Sequence, residues 1–170
     1  FEDKVSEITD NAGKGGREYA ELYQKSIEAK LTEVSEKVQA GAAEYAQIMM
    51  TTGAKPSRSD LSVDVDDYTF SLIEGMVNAM LTGGEAEAPS QQELIKHYLD
   101  QVKKPERSEL SIDVDDFTFS IIERSVDAAI RGGEYSGPTE EEFRDAYLDT
   151  VEKPRREEPV SYTHLTLPTN

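Results

Sequence analysis

The sequence predicts an all-α protein: a long N-terminal helix followed by tandem αα units of period 49, a third unit being cut short. Three observations carry this reading. Residues 55–103 recur as 104–152 without a gap, and about half of the paired positions are identical. Residues 17–51 lack proline and place apolar side chains at spacings of three and four, the signature of a helical face. Each unit holds two helical patterns separated by a Gly-Gly pair and a capping-box motif. A period of 20–50 residues signals an array, whose members bury their cores between neighbours and offer an extended surface.

Residues 1–54 form the expected stem. A short helix is predicted over 3–10, with Val5 and Ile8 apolar. Asn11-Ala12-Gly13-Lys14-Gly15-Gly16 then reads as a linker, because three glycines in four positions lower helix propensity heavily. It is not a phosphate-binding loop, which needs Lys followed by Ser or Thr; here Gly15 follows Lys14. From Arg17 to Thr51 one helix is expected, its stripe running through Tyr23, Ile27, Leu31, Val34, Val38, Tyr45 and Ile48. The stripe is narrow, like a pairing seam, so residues 17–51 are expected to associate with a second copy as a homodimer. Ala40-Gly41-Ala42-Ala43 would permit a close helix approach, and Gly53 followed by Pro56 ends the helix.

Each unit then opens on an alternating lead-in, Leu61 to Val65 and Leu110 to Val114, read as short and extended. The first unit helix starts at Asp66-Asp67 and Asp115-Asp116, where carboxylates cap free backbone N–H groups. Its shared apolar positions are Phe70, Ile73, Val77 and Leu81, against Phe119, Ile122, Val126 and Ile130. Gly83-Gly84 and Gly132-Gly133 stop it. The second unit helix starts at Ser90-x-x-Glu93 and Thr139-x-x-Glu142, and buries Leu94, Tyr98, Leu99 and Val102, or Phe143, Tyr147, Leu148 and Val151. The short connection predicts an antiparallel pair. Arg58 and Arg107 are expected to bridge acids of the neighbouring unit.

Residues 153–159 open a third unit: Lys153-Pro154 repeats Lys104-Pro105, and Arg156 repeats Arg107. Residues 160–170 carry no Asp, Glu, Lys or Arg, and 160–169 read as one translated frame of sequencing-adapter DNA. The chain is thus expected to be a fragment of a longer protein.

The net charge of −17 disfavours nucleic acid and anionic lipid surfaces and suits a basic protein partner. With no cysteine, thiol catalysis, disulfides and Cys-ligated zinc are excluded. No apolar run approaches the ~20 residues that span a bilayer. No feature assigns a compartment, and cytoplasm is the default.

The strongest chemical candidates are the carboxylates Asp64, Asp66 and Asp67, repeated as Asp113, Asp115 and Asp116. Three acids in four residues can ligate Ca²⁺ through oxygen, although neither set has the glycine and glutamate of an EF-hand loop. Helix capping and a solvated face account for the same residues. His97 has Ala146 as its counterpart in the second unit, so no ligand role is shared, and His164 lies in the adapter-like tail. A Ser-His-Asp centre is not supportable on this composition. The expectation is a non-enzymatic interaction or scaffold protein without a cofactor, the alternative being an acidic repeat protein that binds divalent cations.

Overall fold

The first helix, α1, runs without a break over Glu2–Thr52 in the computed structural model, which describes residues 2–150. The linker expected at Asn11–Gly16 is therefore helical. Glycine costs a helix about 1 kcal/mol per residue relative to Ala. Tertiary packing outweighs that at Gly15, over which the side chain of Ile122 closes. At 1.5 Å per residue α1 is about 75 Å long. It ends as expected at Gly53, whose φ of 70° is left-handed and whose N–H donates to the Met49 carbonyl at 2.8 Å.

Four shorter helices follow: α2 over Asp67–Thr82, α3 over Gln91–Tyr98, α4 over Asp116–Ile130 and α5 over Glu140–Thr150. Among the described residues the protein is all-helical. The lead-ins are irregular, each a single 3₁₀ turn (Arg58–Asp60, Arg107–Glu109) and a bend, where extended chain was expected. Their alternation nonetheless sorts burial. Leu61 and Val65 are buried with Ser62 and Asp64 exposed, and Leu110 and Val114 repeat the pattern around Ser111 and Asp113.

The predicted caps form. Asp66 accepts from the Thr69 N–H at 2.8 Å and Asp115 from Thr118 at 2.7 Å. Both capping boxes close: Glu93 with Ser90 at 3.2 Å, and Glu142 with Thr139 at 3.0 and 3.1 Å. Gly83 and Gly132, with φ of 71° and 80°, end α2 and α4.

The packing differs from a simple stack of helix pairs. The main helix-on-helix contacts place α2 and α4 across α1, with α3 packed on α1 to a lesser extent. The C-terminal half of α1 supplies Ala42 and Tyr45 to a core with Leu61, Val65, Ile73 and Val77. Its N-terminal half supplies Tyr19, Tyr23 and Ile27 to a second core with Leu110, Val114, Ile122 and Val126. Leu99, at the end of α3, is buried in that second core, with Ile95 and Val102 packed beside it. The first unit thus helps to close the core of the next.

The stripe expected to pair between chains is consequently covered in large part within the chain: Tyr23, Ile27 and Tyr45 are buried in the two cores and Val34 is buried as well, while Leu31, Val38 and Ile48 are half-buried. Two lone α helices must cover one another; α1 is covered by its own units. Equivalent apolar positions agree at three of the four places compared. Ile73 and Ile122 are buried, as are Val77 and Val126, while Phe70 and Phe119 are both half-buried. The fourth differs: Leu81 is 58% exposed where Ile130 is half-buried against the second core. Residues 153–159 and 160–170, His164 and Val151 lie outside the described residues, as do the side chains of Tyr147 and Leu148.

Candidate functional site

Two matching stations on α1 organise the molecule. Gly15-Gly16-Arg17-Glu18-Tyr19 recurs 26 positions later as Gly41-Ala42-Ala43-Glu44-Tyr45. At each station the glycine lets an isoleucine in: a Cβ at Gly41 would meet Ile73 Cδ1 at 2.4 Å, and one at Gly15 would meet Ile122 Cδ1 at 2.7 Å. The glutamate clamps the lead-in. Glu44 accepts from the Ser62 N–H at 2.8 Å and its hydroxyl at 2.9 Å, and Glu18 accepts from both donors of Ser111 at 2.8 Å. The tyrosine meets the helix phenylalanine, Tyr45 with Phe70 at 6.0 Å between centroids and Tyr19 with Phe119 at 5.8 Å. A step of 26 residues is about 39 Å along an α-helix and about 80° around it, so successive units dock on turned faces. This Gly-x-x-Glu-Tyr pattern was open to view in the sequence. It is missed because its period, 26, is unrelated to the 49 of the units, and because the first copy sits among glycines that signal a break.

The clamps give a direct expectation. Glu44→Ala or Glu18→Ala should each lower stability by about 1–3 kcal/mol, since each removes an ionised acceptor from two donors. Chemical denaturation measures this; a change below ~0.3 kcal/mol would show that the lead-ins hold without them.

The six lead-in carboxylates are in three different situations. Asp66 and Asp115 cap helices, as above. Asp67 and Asp116 are paired with Arg58 at 3.2 Å and Arg107 at 2.6 Å. These arginines therefore bridge acids of their own unit, not the neighbour, because the 3₁₀ turn folds each back over its own helix start. Asp64 and Asp113 are exposed and line two matching notches of about 340 and 320 Å³. The first also holds Lys30, Lys37 and Arg58 beside Asp64 and Asp66, so its lining carries more cations than acids. The second holds Glu7, Asp113 and Asp115 against Arg107. Among the described residues no group of three acid, histidine or cysteine side chains is disposed to hold a metal ion.

His97 joins a cluster that only the first unit has. Its Nε2 lies 3.0 Å from Asp66 Oδ2, and its ring stacks on Tyr68 at 4.0 Å. Tyr98, buried, meets the buried Thr69 hydroxyl at 2.6 Å. The second unit has Phe117 and Ala146 in place of Tyr68 and His97. Burial alone would raise the Asp66 carboxyl; hydrogen bonds from Thr69 and His97 outweigh it and hold the group well below the usual carboxylate range. A carboxyl depressed in the folded state adds stability above its unfolded value near 4, and that stability fades as pH falls below it. Unfolding midpoints should therefore drop between pH 4 and 2 more steeply in the parent than in Asp66→Asn, which keeps the cap. Parallel acid limbs would show that Asp66 is not involved.

The two units differ again at a groove on the first. It holds about 540 Å³ between α1, α2 and the chain entering α3, with walls from Leu31, Val34, Val38, Met76, Pro89 and Leu94. Glu87 is the charged residue in its lining. A shallower extension shares Leu72 and Pro89 and reaches Tyr68 and Glu93. The groove is open because Gly75 and Ala86 border it, and a Cβ at Gly75 would meet nothing within 4 Å. The matching positions of the second unit hold Arg124 and Tyr135.

No helix among the described residues is long and apolar enough to cross a membrane. Comparison with protein-family models, with curated proteins and with solved structures found no match to this chain.

Proposed function

We propose that the chain is a non-enzymatic scaffold: 49-residue acidic helical units, docked at 26-residue steps along one helical spine, hold a protein partner on their outward side. The observation that carries this reading is how likeness and difference are divided between the units. Positions identical in both, such as Ser62 and Ser111, Phe70 and Phe119, or Ile73 and Ile122, dock a unit on α1. Positions that differ, such as Gly75 and Arg124 or Ala86 and Tyr135, border the groove instead. A frame kept constant beneath a varied surface suits holding. The partner is expected to be basic, in keeping with the net charge of −17. Self-association through residues 17–51 is not part of the proposal, because Tyr23, Ile27 and Tyr45 of the stripe that would carry it are buried in the chain's own cores. Affinity capture followed by reconstitution from purified components tests it. A partner that binds with a Kd of about 1 μM or tighter, and more weakly at high salt, supports the reading. Turnover of a substrate by the purified chain, or failure to reconstitute any complex, overturns it.

The alternative cation reading has the second notch as its place, lined by Glu7, Asp113, Asp115 and Arg107, although these acids are not disposed as a metal-holding group. Titration calorimetry with Ca²⁺ on the parent and on Asp113→Asn decides it; heat equal to dilution at millimolar Ca²⁺ removes it.

A further inference from the structure

In the second unit the positions that match Gly75 and Ala86 of the groove carry the long side chains Arg124 and Tyr135. There Arg124 extends from α4 to the capping-box glutamate, with Nη1 3.3 Å from Glu142 Oε1, and the Tyr135 phenol lies beside the same guanidinium. The Tyr135 hydroxyl is buried and makes no hydrogen bond among the described residues, so it is the ring that occupies the place beside the guanidinium. Phe143 closes the site edge-on against Phe117 at 5.8 Å. In the first unit the glutamate is held identically: the Ser90–Glu93 box presents Glu93 as the Thr139–Glu142 box presents Glu142. The aromatic ring and the cation are what is missing, since Ala86 and Gly75 stand in their places.

We infer that the groove of the first unit receives an aromatic–arginine pair from a protein partner, the counterpart in trans of Tyr135 and Arg124. The apolar walls from Leu72, Met76 and Leu94 take the ring. The guanidinium meets Glu93, with Glu87 as the further carboxylate at the rim. Charge selects the partner's flank: the groove and its extension are lined by carboxylates and no cation. This deepens the scaffold reading and rests on it.

The probe is a fluorescein-labelled, alanine-based helical peptide with Tyr and Arg four residues apart, which places the two side chains side by side. Anisotropy titrations of the full chain should show saturable binding, lost when the peptide carries Ala for Tyr or Glu for Arg. Glu93→Gln keeps the capping box and removes the charge, and should weaken binding about five- to tenfold. Gly75→Arg with Ala86→Tyr should rebuild the second unit's filling. It should raise the thermal midpoint beyond the rise of Gly75→Ala, which supplies helix propensity alone, and abolish peptide binding. Should the double variant not fold, Ala88→Trp at the exposed rim occludes the groove without entering the core. Absence of binding up to millimolar chain, or undiminished binding to the filled or occluded groove, overturns the inference. So does a parent that light scattering shows to be a dimer and the filled variant a monomer, because the occupant is then a second copy. A reconstituted partner that binds the filled variant as tightly as the parent would overturn the groove while leaving the scaffold reading intact.

Discussion

Ile73→Ala and Ile122→Ala should each destabilise the protein by about 2–5 kcal/mol, the range for truncating a fully buried aliphatic side chain. Ile73 is 0% and Ile122 1% exposed, and each seats its Cδ1 over a spine glycine. Removing it strips the interface on both sides, because glycine has no side chain with which to refill the space. Leu81→Ala is the internal control. Leu81 belongs to the same sequence stripe as Ile73 yet is 58% exposed, and its loss should stay within about 0.5 kcal/mol. Urea titrations of the three variants decide the matter. Equal costs at Ile73 and Leu81 would mean that α2 does not lie across α1 as described.

The second large effect is a reversal of sign among glycines of one helix. Replacing an exposed helical glycine by alanine normally stabilises by about 1 kcal/mol. Gly13→Ala should do so, since a Cβ there meets nothing within 4 Å. Gly41→Ala should instead destabilise by about 1–3 kcal/mol, as over-packing does. Its Cβ would lie 2.4 Å from Ile73 Cδ1 and 3.2 Å from Cγ1, and a side chain that is wholly buried has no free space to retreat into. Gly41→Leu should prevent docking of the first unit, seen as loss of protection from amide exchange across α2. Gly15→Ala is expected to follow Gly41→Ala, with Ile122 at 2.7 Å. If all four substitutions raise the thermal midpoint, the glycines are not docking positions.

Much of the local structure was legible in the residues. Asp66, Asp115, Ser90 and Thr139 announce helix starts because their short polar side chains satisfy N–H groups that no helix can satisfy itself. Gly53, Gly83 and Gly132 announce ends, and each has the left-handed φ that such an end requires. The alternation over 61–65 and 110–114 was correct about which side chains turn inward, though not about backbone shape. Burial follows side-chain direction, whereas strand geometry needs a partner strand, and none is present among the described residues. The groove was not legible. Gly75 and Ala86 are unremarkable in sequence, and their meaning comes from Arg124 and Tyr135 at the matching positions.

By itself, then, the sequence determined the helical class, the starts of the unit helices, the glycine ends of α2 and α4, and most positions that turn toward a core. These are settled by interactions within a few residues: caps, left-handed glycines and the spacing of apolar side chains. Helix α3, by contrast, stops at Tyr98 in a 3₁₀ turn, short of the expected Val102. The tertiary structure alone decided that Gly13–Gly16 stays helical, that α1 is the spine of its own chain, and that Arg58 and Arg107 pair at home. Each of those outcomes depends on what lies across from a residue. Gly15 is penalised in an isolated helix and useful beneath Ile122, and a stripe from Tyr23 to Tyr45 looks the same whether another chain or α2 and α4 will cover it.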